Sequence, residues 1–134
     1  MTIAERVQKV IPEFCKSHWL IRLPLVIVFF QQGLNKLPVS ALEAEAWGLP
    51  FIVWFFVAWG EVFAAIFLVV GGFLDKKAIG DIITRFAGIL ITGIMSGVIL
   101  MSQPPSFLDV LLYDNYHVML YVGGLYFALR GNRQ

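Results

Sequence analysis

Glu61 occupies the chemically most demanding position in the chain. It lies in the middle of a run from Leu49 to Leu74 that carries no other charge. This run is long enough to cross a bilayer, whose hydrocarbon core of roughly 30 Å is spanned by about 20 helical residues. A carboxylate at that depth is costly and normally faces a partner or a water-filled cavity. Glu61 therefore indicates either a structural ion pair between helices or a group that handles protons or a ligand.

Three cations could neutralise this carboxylate, and the sequence does not choose among them. One lies at the end of the first apolar run, one near its start, and one early in the third run. Each could instead extend its charged end to lipid head groups, as long basic side chains often do. The three candidates are Lys36, Arg22 and Arg85.

A polar pocket around Glu61 is the alternative to a purely structural pair. Gln32 and Asn35 precede Lys36 by four residues and one residue, and we place all three on one side of a helix. His117 is expected at the same outer edge, at the start of the fourth run. In such a pocket Lys36, Gln32 or His117 could bind the carbonyl oxygens of a quinone, while Glu61 exchanges protons. Hydrogen bonds between helices, or at the membrane interface for His117, are the structural alternative.

Several kinds of chemistry are excluded by what the chain lacks. His18 and His117 are the only histidines, and we expect them on opposite surfaces, which argues against a bis-histidine haem within one chain. No metal-spaced cluster of ligands and no glycine-rich phosphate loop occurs. The net charge of +1 gives no reason to expect nucleic acid. We predict no metal and no intrinsic cofactor, with a quinone as the one possible external cofactor, and a chain that is not catalytic on its own.

The elements that must position these residues are membrane helices. Hydrophobic residues make up 59% of the 134, and the mean hydropathy is +0.79, whereas a soluble domain is about 45–50% apolar. We predict an all-α fold, an integral membrane four-helix bundle in residues 19–130. The crossings are expected at about 19–37, 50–73, 82–102 and 112–129, punctuated by prolines and glycines.

The charges of the loops predict the orientation of the bundle. Basic residues concentrate in the N-terminal tail, the second loop and the C-terminal tail, whereas the first and third loops carry acidic residues. Because positive loops stay on the cytoplasmic side, both termini are predicted to be cytoplasmic, in a bacterial inner membrane. The basic residues are Arg6, Lys9, Lys16, Lys76, Lys77, Arg130 and Arg133, and the acidic ones are Glu43, Glu45, Asp109 and Asp114.

Two shorter segments are also predicted to be helical. Residues 1–18 place apolar side chains at helical spacing and basic ones elsewhere, which predicts an amphipathic interfacial helix kinked near Pro12. A tail that is disordered or docks on a partner is the alternative. In the third loop, Phe107 to Leu112 are expected to form a short helix on the outer surface.

Small residues are expected at the helix contacts. Membrane helices associate through close packing of small side chains, because lipid offers no hydrophobic driving force between them. The expected packing positions are Gly33, Gly60, Gly93, Gly97 and Gly123.

The pattern of these residues resembles the DoxX family of small four-helix membrane proteins. The first helix shows an arginine, then a glycine followed closely by a lysine, and the second shows Trp59-Gly60-Glu61 before Gly71-Gly72-Phe73. The resemblance covers residues 19–130 but not Tyr116-His117 or the long loop before it. It implies four transmembrane helices and, for some members, membership in quinone-linked redox complexes. The positions carried over are Arg22, Gly33, Lys36 and Glu61.

Three functions remain open on this basis. The first is a small accessory subunit of a larger inner-membrane redox or energy-transducing complex, in contact with lipids and bigger protein partners. The second is a quinone-reactive oxidoreductase subunit that uses the pocket at Glu61. The third is a small-molecule or proton-coupled transporter, because a buried glutamate also suits a coupling-ion site, although no inverted repeat is evident.

Overall fold

The structure, a computed structural model, describes residues 1–11, 16–74, 76–101 and 105–132. These residues form helices without any strand, which confirms the predicted all-α class. The helices are α1 (Ile3–Val10), α2 (Trp19–Asn35), α3 (Ala41–Ala46), α4 (Phe51–Phe73), α5 (Ala78–Met101), α6 (Phe107–Tyr113) and α7 (Asn115–Arg130).

Four long helices make up the body of the molecule. Helix α5 packs along both α4 and α7, α2 lies along α4, and α2 touches α7 over a narrower area. Apolar side chains from all four meet in one core, which includes Phe29 of α2, Leu68 of α4, Ile91 of α5 and Phe127 of α7. Each of these four side chains is almost completely buried. The inward faces are therefore fixed by apolar packing, and the polar groups must fit around it.

Two of the helices are long and apolar enough to cross a membrane. These are α4, with 23 residues, and α5, with 24. Within their most apolar stretches only 39% and 28% of the residues are buried, so more than half of the residues in each stretch are partly or fully accessible. Helices α2 and α7 have 17 and 16 residues. These shorter helices correspond to the predicted crossings at 19–37 and 112–129, and all four predicted crossings stay predictions.

Two helices, α5 and α7, begin at residues that differ from the predicted ones. Helix α5 begins at Ala78, four residues before the predicted start, and so includes Asp81. Helix α7 begins at Asn115 instead of residue 112, because Asp114 separates it from α6. The predicted end of the third crossing at Ser102 lies outside the described residues.

The short helices have clear capping signals. Helix α1 begins with a capping box formed by Thr2 and Glu5, and all its residues are exposed. The predicted kink at Pro12 lies outside the described residues. The helix expected over Phe107 to Leu112 is confirmed as α6, which Ser106 caps. Helix α3 was not predicted, although Ser40 ahead of a run of strong helix formers is a usual start signal.

Three of the predicted packing glycines lie at helix contacts. Gly33 of α2 faces α4 so closely that a Cβ would meet the backbone nitrogen of Val62 at 3.0 Å and the carbonyl oxygen of Ala58 at 3.1 Å. Gly60 lies beside Ile94, and Gly123 lies against Leu25. At Gly33 in particular, the absence of a side chain sets the distance between α2 and α4.

The prediction for the other two glycines was wrong. Gly93 and Gly97 are exposed, and a Cβ at either would have no neighbour within 4 Å. The spacing of small residues shows that they share one side of a helix, but it does not show whether that side faces another helix or the outside. In α5 Gly88 does face a neighbouring helix, since it lies against the backbone of α7 at Gly124 and Ala128.

Candidate functional site

Lys36 is the cation that the structure places at Glu61. It follows the last residue of α2, and its ammonium nitrogen lies 3.0 Å from Oε1 and 3.1 Å from Oε2 of the carboxylate. The Glu61 side chain is 4% exposed and that of Lys36 is 15% exposed. The contact joins the end of α2 to the middle of α4, and we call it the Lys36–Glu61 pair.

The surroundings of the pair explain why Lys36 can reach it. Gly33, one turn before Lys36, brings α2 against α4 on either side of Glu61, at Ala58 and Val62. The Lys36 ammonium also lies 5.4 Å from the ring centroid of Trp54, and an aromatic face attracts a cation. The Lys36 ammonium therefore lies between the Glu61 carboxylate and the Trp54 indole ring.

The wider pocket predicted at this level does not form around the pair. Gln32 and Asn35 are exposed, and the only group of either that binds Lys36 is the backbone carbonyl of Gln32, at 3.4 Å. The inward face of α2 runs through Arg22, Leu25, Phe29 and Gly33, which turns Gln32 and Asn35 outward. The helical spacing of Gln32, Asn35 and Lys36 therefore did not predict a common pocket, because the flexible Lys36 side chain bends towards α4 and the other two point outward.

His117 also has a different partner from the predicted one. Its Nδ1 lies 2.7 Å from Oδ1 of Asp114, just before α7. No hydrogen bond or ion pair joins it to Lys36 or Glu61 within the part of the chain that the structure describes. His117 is therefore bonded at the start of its own helix, and its place at a membrane interface stays a prediction.

Arg22 forms a second polar centre and is completely buried. Its guanidinium donates to the carbonyl of Leu68 at 2.7 Å, to Oγ1 of Thr84 at 3.1 Å and to Oδ1 of Asn132 at 2.7 Å. Its Nε donates to Nδ1 of His18 at 3.1 Å. Since these groups surround it inside the packed helices, Arg22 does not reach out to the surface.

Asn132 completes this centre from the C-terminal side. Its Oδ1 also accepts from Thr84 Oγ1 at 3.0 Å, and its Nδ2 donates to the carbonyl of Gly71 at 2.9 Å. Its backbone N–H donates to Oδ1 of Asp81 at 2.8 Å. We call Arg22, Thr84, Asp81 and Asn132 the Arg22 cluster, and it ties α2, α4 and α5 to the residues after α7.

Arg85 lies next to this cluster and not at Glu61. Its Nε donates to Oδ2 of Asp81 at 2.9 Å, one helical turn earlier in α5. Its two terminal nitrogens donate to the carbonyls of Leu129 at 3.0 Å and Arg130 at 3.3 Å. Arg85 therefore satisfies the end of α7, where helical carbonyls lack partners.

Sequence reasoning missed Thr84, Asp81 and Asn132. Asp81 and Arg85 are four residues apart, which is a usual spacing for a helical ion pair and was available as a signal. Thr84 in an apolar run gives only a weak signal. Nothing in the sequence around Asn132 indicates that its side chain enters the helical body.

The described residues contain no group of three or more histidine, cysteine, aspartate or glutamate side chains that could hold a metal ion. No family model, no curated protein and no solved structure matches the chain.

Proposed function

We propose that the chain is an integral membrane protein of the bacterial inner membrane with four crossings, α2, α4, α5 and α7. The support is that α4 and α5 are long and apolar and that most of the residues in their apolar stretches are not buried among the helices. At a rise of 1.5 Å per residue, the 17 residues of α2 span about 26 Å, near the lower limit for a crossing. The burial of Arg22 and Glu61 among the helices is what a lipid environment requires of charged groups.

Both termini are proposed to be cytoplasmic, and the charge of the loops supports this orientation. Single cysteines in a Cys15→Ser background test it. We expect a cysteine at Lys9 or at Arg130 to be shielded from an impermeant thiol reagent in intact spheroplasts, and a cysteine at Glu43 to react. Labelling of Lys9→Cys and Arg130→Cys without permeabilisation would contradict the orientation.

We propose further that this protein is a small accessory subunit of a larger redox or energy-transducing membrane complex. The observation that carries the proposal is that both buried charged centres are bonded to groups of the protein itself. Lys36 neutralises Glu61, and Arg22 is surrounded by fixed hydrogen-bond partners. Both centres join helices to one another, which suits a rigid building block. The redox assignment is supported by the resemblance of residues 19–130 to the DoxX family.

The outward surface of α4 supports an assembly role. Aromatic rings follow one another along it, with centroid distances of 6.4 Å from Phe55 to Trp59, 5.9 Å from Trp59 to Phe63 and 6.0 Å from Phe63 to Phe67. The row continues to Phe86 of α5 at 5.7 Å. We call it the aromatic row. Large rigid side chains of this kind are enriched where protein surfaces meet.

Native mass spectrometry of the gently extracted protein, with an absorption spectrum of the same sample, tests the proposal. We expect stoichiometric larger partners that carry redox-cofactor absorption. Replacing Trp59 by leucine in the aromatic row should release them, whereas Tyr126→Leu, at a similarly exposed aromatic of α7, should not. A stable, colourless, partner-free species would contradict the accessory role.

A quinone-reactive subunit is the second candidate, and one observation favours it. The indole nitrogen of Trp54 is buried beside Lys36 and has no hydrogen-bond acceptor among the described residues. A quinone carbonyl entering here would accept from this N–H. Quinone-dependent turnover of the intact complex should then fall in Glu61→Gln, Lys36→Ala and Trp54→Phe but not in the control Tyr126→Phe, at an exposed aromatic of α7. Unchanged turnover in the first three variants would rule this function out.

A further inference from the structure

The Asn132 side chain is held the way a protein holds a bound ligand. Two donors, the Arg22 guanidinium and the Thr84 hydroxyl, converge on its carbonyl oxygen at 2.7 and 3.0 Å. One acceptor, the carbonyl of Gly71, takes its amide N–H at 2.9 Å. Both the oxygen and the nitrogen of the carboxamide are thus hydrogen-bonded by groups that belong to three helices, α2, α4 and α5.

The recognising groups do not depend on the segment that carries Asn132. Arg22 is also held by the carbonyl of Leu68, and Thr84 lies in the middle of a helical turn of α5. Arg22 thus keeps its bond to α4, and Thr84 keeps its place in α5, when a ligand leaves, which is what a preorganised site needs.

The attachment of Asn132 to the body is short and local. Helix α7 ends at Arg130, and Gly131 turns the chain with a φ of 61°, a conformation that glycine adopts without strain. The last turn of a helix opens at low free energy compared with global unfolding. Asn132 is joined to α7 through Gly131 alone. Its carboxamide can therefore leave the site without unpacking the four long helices, once the bond from its backbone N–H to Asp81 opens.

We propose that Arg22, Thr84 and the Gly71 carbonyl form a carboxamide-binding site, and that Asn132 occupies it as an internal competitor. A carboxamide, such as an asparagine or glutamine side chain of a partner, satisfies all three groups. A carboxylate gains from the charge of Arg22 but places an anion against the Gly71 carbonyl and near Asp81. The carboxylate of Asp81 is already paired with Arg85 at 2.9 Å. The site offers donors to an oxygen and an acceptor to an N–H, so it favours a neutral amide over a carboxylate.

Chemical rescue with small molecules tests this site. In Asn132→Ala the removed group has the size of formamide, and formate is its charged counterpart of the same shape. A fragment of three heavy atoms reaches a Kd of about 1 mM at best, so the probes are used at and above that concentration. We expect Asn132→Ala to lower the thermal midpoint of the purified full-length protein in detergent by about 5 °C.

We expect formamide to raise the midpoint of Asn132→Ala more than formate does, and to leave the wild type and Asn35→Ala unchanged. Asn35 is a suitable control because it is exposed at the end of α2. Asn132→Ser is a milder truncation and should show the same rescue. If Asn132→Ala does not fold, Asn132→Ser takes its place in the test. The proposal is overturned if neither probe acts selectively on the Asn132 variants, or if formate restores as much as formamide.

Discussion

The Lys36–Glu61 pair and the Arg22 cluster each place a cation among packed helices, but they stabilise it by different means. Lys36 faces a carboxylate, so its charge is cancelled by an opposite one at 3.0 Å. Arg22 is surrounded in the described residues by a carbonyl, a hydroxyl, a carboxamide and an imidazole at set distances. The Lys36–Glu61 pair therefore joins two opposite charges, whereas the described partners of Arg22 bind its guanidinium through the shape and direction of its donors.

The difference follows from the two side chains. A lysine ammonium is a compact charge on a flexible stem and adapts to one strong partner. An arginine presents five donors in a rigid planar fork, which suits several acceptors at fixed positions. The pair therefore joins two helices, whereas the Arg22 cluster joins four chain segments. Variants that keep charge but change shape, or the reverse, should separate the two centres.

The largest effect is expected from Lys36→Met, which removes the charge but keeps most of the stem. Glu61 would then be buried without a partner, and breaking one side of a buried pair costs about 3–5 kcal/mol. The free energy of unfolding in detergent should fall by that amount. An unchanged value would show that Glu61 is already neutral or solvated, and the pair would not be the charge-dependent centre.

Exchange of the two cation types gives the next largest effect. Arg22→Lys keeps the charge but loses the fork, and we expect a loss of about 1.5–3 kcal/mol, the value of one hydrogen bond to a charged group. Lys36→Arg keeps what the pair needs and should cost less. Unfolding of both variants under one condition makes the comparison. Equal losses, or a larger loss at Lys36, would contradict the distinction between the two centres.

A smaller effect is expected at Gly33, which sets the approach of α2 to the pair. Gly33→Ala should lower the free energy of unfolding by about 1–3 kcal/mol, because the added methyl group meets Val62 and Ala58. Gly93→Ala is the matched control on an open face, and there alanine should be neutral or favourable by up to about 1 kcal/mol. A loss at Gly93→Ala as large as that at Gly33→Ala would contradict the assignment of the Gly33 effect to close packing of α2 on α4.

The comparison also shows how far the sequence leads. The helical class followed from composition and from apolar runs, since a helix is the only way for such a run to satisfy its own backbone. Glu61 and Lys36 stood out because isolated charges in apolar surroundings demand partners. The choice of Lys36 over Arg22 and Arg85 did not follow, because it depends on the close approach that Gly33 permits and on the bend of a long side chain.

The Arg22 cluster was harder to foresee for a different reason. Its partners are separated from Arg22 by 62 residues at Thr84 and by 110 at Asn132. Neutral partners such as a hydroxyl or a carboxamide carry no charge pattern that could be matched in advance. Contacts of this kind depend on how the helices pack, and the same holds for the outward direction of Gly93.

The central claim is that Glu61 serves to hold α2 against α4 through Lys36. A double-mutant cycle with Lys36→Met, Glu61→Gln and the combined variant measures this coupling most directly, by unfolding in detergent. We expect the combined variant to be more stable than Lys36→Met alone, with a coupling free energy of about 2 kcal/mol or more, because a neutral amide no longer needs the ammonium. Additive losses from the two substitutions would contradict the claim.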